Sequence, residues 1–319
     1  MEDQTVRDHE GDGEGVDRRG FLKCMAWAGT GLVWTSGGGV LSSQAFGQGA
    51  GRAGAGSFSF VQISASHIGF GKDPSRQTVT ATLQEAVARI NALPERPDFL
   101  IHTGDLTHLA TPKEFDTVAE ILKGVKVGKI FSVPGEHDVI GDGSEYLKRF
   151  GKGSKGEGWY SFDHHGVHFI GLVNVASQGT DKGLGILGTE QLEWLKTDVA
   201  GLSASTPVVV FGHVPLWAVY PQWGWGTEDG QQALGYLKRF GSVTVLNGHI
   251  HQIAQKVEGN MTFHTARSTG FPQPAPGQAP APGPLKNVPA ERLRTMLGLT
   301  SVNYVGGRGP LAVVDAALG

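Results

Sequence analysis

Residues 60–70 read FVQISASHIGF, an apolar run that stops at a short polar turn carrying His67. A strand over 58–63 followed by that turn is the first of five segments built alike. The others are DFLIHTGD (98–105), KIFSVPGEHD (129–138), TPVVVFGH (206–213) and SVTVLNGHIH (242–251). Each is a brief apolar stretch bounded by turn residues, the pattern of a buried strand. In open α/β sheets, sites form beyond the carboxyl ends of the strands. The five turns can therefore gather His67, Asp105, Glu136, His137, Asp138, His213, His249 and His251 in one crevice. Gly104, Gly135, Gly212 and Gly248 each stand before a polar residue, where a residue without Cβ permits a sharp turn and close backbone approach.

His249 and His251 are two residues apart, so in an extended segment both rings leave the same side, which suits ligation of two adjacent ions. A mixed imidazole and carboxylate set selects Zn, Mn or Fe over Ca or Mg. Singly, a GD or GH dipeptide is commonplace, and a lone histidine at a strand end is more often structural. The metal reading rests on all five occurring in this order after these strands.

Working outward, further strands are expected near 159–163, 167–173, 253–257 and 260–264, with a terminal strand over Leu311 to Ala316. Helical periodicity runs over 78–93 and 111–125, the latter opened by a Thr cap and a Pro, and another helix begins near Gly188. Strands that alternate with helices and then crowd together indicate an α/β domain with mixed sheets. Residues 46–319 are read as one domain, with the Pro-rich stretch 272–289 as an extended surface segment.

At the start of the chain, DRRGFLK (17–23) precedes an apolar run over 24–41 and then SSQAFG. This resembles a twin-arginine export signal over residues 1–45, cleaved after Ala45. Passage through the twin-arginine export machinery, a periplasmic location and no stable membrane span after cleavage are expected. The chain has 319 residues, 39% of them apolar, and a single cysteine. Beyond residue 45 there are 23 Lys and Arg against 23 Asp and Glu, so no basic field invites nucleic acid. Cys24 lies in the signal, which leaves histidine and carboxylate to hold any metal.

The five turns together resemble the calcineurin-like metallophosphoesterase family, whose pattern is D-x-H, G-D, G-N-H-[DE], G-H and G-H-x-H in that order. The resemblance covers Phe58 to Thr265, and the exported Icc-like branch and the class III cyclic-nucleotide phosphodiesterases look most similar. It implies a four-layer αββα sandwich, two mixed β-sheets flanked by helices. It also implies a centre of two Fe, Mn or Zn ions, or one, that hydrolyses a small phosphoester with metal-activated water. On the resemblance, Asp105 bridges the ions, with His67 and His251 on one and Glu136, His213 and His249 on the other. His137 would contact the phosphate or protonate the leaving group, and Asp138 would orient it and raise its basicity.

The pattern is broken twice, by Ala65 in place of the first aspartate and by Glu136 in place of the asparagine. Ser66 is a poor substitute because neighbours in an extended chain point to opposite faces, and Ser64 faces away for the same reason. The expectation is a weakened first metal position. The alternative is a catalytically weak or inactive homologue that binds metal or phosphate.

Trp217, Tyr220, Trp223 and Trp225 follow the GH turn. Trp223 and Trp225 are candidates to stack on a substrate, against simple loop packing. His264 and Arg267 are candidates to contact a phosphate. His102 and His108 flank the GD turn as structural or supporting residues, and His164, His165 and His168 are expected at a surface or edge.

Overall fold

The computed structural model describes residues 31–37, 40–46, 56–71, 79–175, 184–286, 288–307 and 311–319. The twin-arginine motif lies outside them. Gly31–Gly37 (β1) and Val40–Phe46 (β2) pair antiparallel, over the later part of the apolar run and through the expected cleavage position. Gly54–Gly319 form a unit of their own.

Within that unit two mixed sheets form. One takes β3 (Phe58–Ile63), β4 (Phe99–Thr103), β5 (Lys129–Val133), β12 (Gly298–Tyr304) and β13 (Ala312–Ala317), in the order β13-β12-β3-β4-β5. The other takes β6 (Tyr160–His164), β7 (Val167–Gly171), β8 (Val208–Phe211), β9 (Val243–Asn247), β10 (Gln255–Glu258) and β11 (Met261–Thr265), in the order β10-β11-β9-β8-β7-β6. β3, β4 and β5 run parallel, as do β7, β8, β9 and β11, while the outer pairings are antiparallel.

Period-two alternation along these strands builds three cores. Phe60, Phe99, Ile101, Phe169, Val209, Phe211 and Leu246 point into the space between the sheets. Val61, Ile63 and Leu100 point the other way, onto α1 (Val79–Asn91) and α2 (Pro112–Leu122). Ile170, Val208, Val210, Val243 and Val245 meet α4 (Thr189–Ala200) and α5 (Gly230–Leu237). Helix, sheet, sheet and helix thus form the four layers, with α3 (Ser144–Phe150) and α6 (Ala290–Met296) as short additions.

Two expectations are corrected here. β12 was not foreseen, yet it is an inner strand that pairs with both β3 and β13. His168 is not at a surface: it is buried, with Nδ1 2.8 Å from Asp163 and Nε2 2.9 Å from Asp198. The Thr cap stands as expected, with Thr111 and Glu114 bonding reciprocally in a capping box. Glu114 also accepts the Leu109 N–H at 2.9 Å, which ties α2 to the turn after β4. The described part of 272–289 holds neither helix nor strand.

Candidate metal centre

The turns after β3, β4, β5, β8 and β9 meet at one end of the sandwich, and their side chains fall into two interlocking groups. His67, Asp105 and His251 form one, and Glu136, His213 and His249 form the other, each with ligand atoms within 4.8 Å of one another. Asp105 Oδ2 touches both, at 3.4 Å from His67 Nε2 and 3.2 Å from His213 Nε2. Glu136 spans the second group, 2.9 Å from His213 Nε2 by one oxygen and 2.9 Å from His249 Nδ1 by the other.

The backbone that achieves this is left-handed rather than extended. Ala65, His67, Asp105, His249 and His251 all have φ between 43° and 66°. His249 and His251 therefore reach different groups through successive turns, not by sharing one side of a strand. Ser66 is turned away as expected, but by bonds and not by strand alternation: its Oγ lies 2.9 Å from His102 Nε2 and donates to the Leu106 carbonyl. At Gly135 a Cβ would lie 2.1 Å from Asp105 Oδ1, and at Gly104, φ 90°, it would collide with the His213 ring. Gly212 has no such contact, its nearest neighbour being a carbonyl oxygen at 3.4 Å.

The donor set fits metal ions on its own chemistry. His213 donates Nδ1–H to the Thr103 carbonyl at 2.6 Å, so its Nε2 is the atom that faces two carboxylate oxygens, where a metal ion would take the place of a proton. Two carboxylates packed so closely repel unless positive charge, a proton on His213 or a metal ion, stands between them. Glu136 Oε2, His213 Nε2 and His249 Nδ1 are moreover buried without a hydrogen-bond partner although Glu136 stands 2.9 Å from both histidines, a costly state for a polar atom that coordination would relieve.

Charge follows the same logic. Burial and Glu136 push the Asp105 pKa up, but His213 and His67 outweigh them and hold it well below the carboxylate range. Burial raises Glu136 too, yet His249 and His213 hold it well below its ordinary value. Burial lowers His213, and Asp105 with Glu136 more than reverse this. His67 is pushed well down and His251 down to about 4, burial being the main cause in both. These two are neutral imidazoles, the state that ligates a metal.

His137 borders both groups. Its N–H donates to Asp105 Oδ1 at 3.0 Å, and its Nδ1–H donates to the His108 carbonyl at 2.7 Å, with the His108 ring stacked on it. Asp138 does not orient it. The Asp138 carboxylate accepts from the backbone N–H groups of Leu106, Thr107 and Gly135 and from the Thr107 hydroxyl, all at 2.8 to 3.0 Å. It binds the turns after β4 and β5 together. Burial and Asp105 push its pKa up to about 6.

The expected substrate contacts fare differently. Trp225 is buried and packs edge-on against half-buried Trp223, and Trp217 lies on Phe263, so loop packing accounts for Trp225. His264 is buried on β11 and bonds Asp315 of β13 at 2.9 Å, and Arg267 donates to the Thr295 carbonyl. Neither joins the cluster.

Sequence reasoning missed the segment 268–271. Phe271 lies against the rings of both His67 and His251, and its carbonyl accepts from His251 Nδ1 at 2.5 Å. Ser268 Oγ and Gly270 N–H both donate to the Ala65 carbonyl. Asn174 also went unassigned; it and Asn247, which flanks the GHIH turn, both donate to the Val214 carbonyl beside His213. Only the apolar and small composition of STGF hinted at a buried turn.

Residues 60–253 match the calcineurin-like phosphoesterase family. The chain is 26% identical over 218 residues to a 3',5'-cyclic-nucleotide phosphodiesterase of Nostoc, 67% of this chain and 79% of that protein. It is 25% identical over 196 residues to the glycerophosphodiester phosphodiesterase GpdQ of Enterobacter lignolyticus, 60% and 69% of the two chains. A dimetal phosphatase from Danio rerio superposes with a TM-score of 0.57 at 16% identity, covering 81% of this chain and 98% of that one. With the match spanning more than half its length, this chain belongs to the calcineurin-like phosphoesterase family, hydrolases of phosphoester bonds.

Proposed function

We propose that the protein is an exported phosphodiesterase whose centre is held by His67, Asp105 and His251 on one side and Glu136, His213 and His249 on the other, with Asp105 between them. The observation that carries this is His213 Nε2 facing Asp105 and Glu136 at 3.2 and 2.9 Å, one nitrogen between two carboxylates. Zn, Mn or Fe suits the donors. When bound, such ions supply Lewis-acid charge that acidifies water and offsets negative charge on the phosphoryl oxygens.

The chain's own residues supply the rest. His213 and His251 are fixed by their Nδ1–H bonds to backbone carbonyls, which point Nε2 inward. His137 holds Nδ1–H toward the His108 carbonyl and leaves Nε2 toward the cluster. Burial lowers its pKa, but Asp105, Glu136 and the His108 carbonyl raise it above the ordinary value. It is thus suited to give a proton from Nε2 to a leaving alkoxide. A diester substrate is supported by the phosphodiesterase names of the relatives, a cyclic nucleotide or a glycerophosphodiester being the chemistries those names carry. Export is supported by the adjacent Arg18 and Arg19 with the apolar run behind them.

Ala65 favours a second reading in one respect: the group around His67 has a single carboxylate, so its hold on a cation is weakened, and a slow enzyme or a metal-binding homologue follows. Substitution separates the two. His137→Ala should leave the metal content unchanged and lower turnover of a chromogenic phosphodiester by roughly 100-fold or more, whereas His213→Ala should remove metal and activity together. Full activity in His137→Ala, or no turnover by the loaded wild type, would overturn the enzymatic reading.

A further inference from the structure

At the end of the sandwich away from the metal turns, Asp98, His164 and His165 bring three ligand atoms within 4.8 Å of one another. Asp98 directly precedes β4 in one sheet, and the two histidines close the β6–β7 hairpin of the other. We propose that these three side chains form a zinc-type site, separate from the catalytic centre, that clips the two sheets together.

Four observations support it. His164 Nε2 stands 3.7 Å from Asp98 Oδ1, too far for a hydrogen bond, and Nε2 is buried with no hydrogen-bond partner. Two ligands on one tetrahedral zinc, each at about 2.1 Å, lie roughly 3.4 Å apart, so a cation fits the gap that a proton does not bridge. The His164 ring is held edge-on to Phe58 and Phe99, with centroids 4.7 and 5.1 Å away, so its direction is set before any ion arrives. Asp98 is also oriented: its Oδ2 accepts the Ser59 N–H at 3.2 Å, which leaves Oδ1 for the site.

The fourth concerns the turn. His165 and Gly166 have φ of 48° and 82°, the two-residue hairpin turn for which Asn-Gly is the favoured pair. A histidine there serves the turn less well than asparagine, but it supplies the third donor, its ring centroid 4.4 Å from that of His164. Two imidazoles and one carboxylate form a zinc-selective set with a position left for water. The charge of Lys129 reaches His164 and opposes a cation; the Asp98 carboxylate offsets it.

The test is zinc binding and thermal unfolding of the full chain, stripped of metal, for the wild type, His165→Asn and Asp98→Asn. Asn suits the turn, so His165→Asn removes the ligand without disturbing the fold. The wild type should bind one more zinc per chain than either variant. At a hundredfold excess of zinc over its dissociation constant, the wild-type melting temperature should rise by about 5 °C more than theirs. Retention of the same zinc count and the same thermal shift by either variant would overturn the site.

Discussion

Ala65 has a φ of 50°, a left-handed backbone that costs a residue with a Cβ about 1–2 kcal/mol and that Asp and Asn tolerate better. The turn survives because its Ala65 N–H donates to the Gly104 carbonyl and its own carbonyl accepts from Ser268 and Gly270. The first metal turn therefore keeps its shape with its carboxylate missing. Asp138, two residues beyond Glu136, is the contrary case, a carboxylate present but engaged elsewhere. Fully buried and accepting four hydrogen bonds, it holds two turns in register. Asp138→Ala should lower unfolding free energy by about 3 kcal/mol or more, since three N–H groups lose their acceptor at once. His137→Ala, at the half-buried rim, should change it far less. Denaturant unfolding measures both, and a stable Asp138→Ala protein that has lost only turnover would return Asp138 to the role of His137's partner. Which side chains gather at the strand ends was legible because Gly-punctuated strand ends announce themselves. What Asp138 bonds was not, because besides Gly135 its partners, Leu106 and Thr107, lie some thirty residues away and are brought near only by the pairing of β4 with β5.

Among the elements, β3, β4, β5, β8 and β9 were readable as short apolar runs ended by turn residues. β12 was not: GLTSVNY has glycine, serine and asparagine inside it, yet Leu299, Val302 and Tyr304 are buried. Its strand character comes from pairing with β3 and β13 rather than from local preference. Phe271 escaped for a similar reason, an apolar contact with His67 and His251 that no motif encodes. His168 shows what hairpin placement hid. On β7 it alternates with Val167 and Phe169, so when those face the inter-sheet core it must face α4, where Asp198 awaits it. Burial lowers its pKa, but the bonds to Asp198 and Asp163 prevail and raise it. A raised folded pKa means that its stabilising contribution is fully present below the unfolded value and is lost as pH rises through the folded one. His168→Ala should therefore lower the melting temperature more at pH 5.5 than at pH 9. An equal loss at both values would show that packing alone, not the charged bridge, holds β7 to α4.

Across the whole molecule, two mixed sheets packed face to face turn the carboxyl ends of five strands toward one another, and ligands far apart in sequence become neighbours. His67 and His251, 184 residues apart, have Nε2 atoms 3.2 Å from each other. The αββα architecture thus explains why six metal-type side chains converge without any one segment holding a complete site. The proposed weakness of the first metal position rests on the same arrangement. The group of Glu136, His213 and His249 has its own carboxylate, whereas the group of His67 and His251 has only a share in Asp105. Charge has moved from the first turn to the third, and Glu136 lies against His213 and His249 rather than His67. The imbalance is best measured by comparing metal content and hydrolysis of a chromogenic phosphodiester in the wild type and Ala65→Asp, stripped and reloaded in parallel. The expected result is that Ala65→Asp holds the ion at His67, Asp105 and His251 at least about tenfold more tightly and turns over faster. Equal metal content and equal rates would contradict the account.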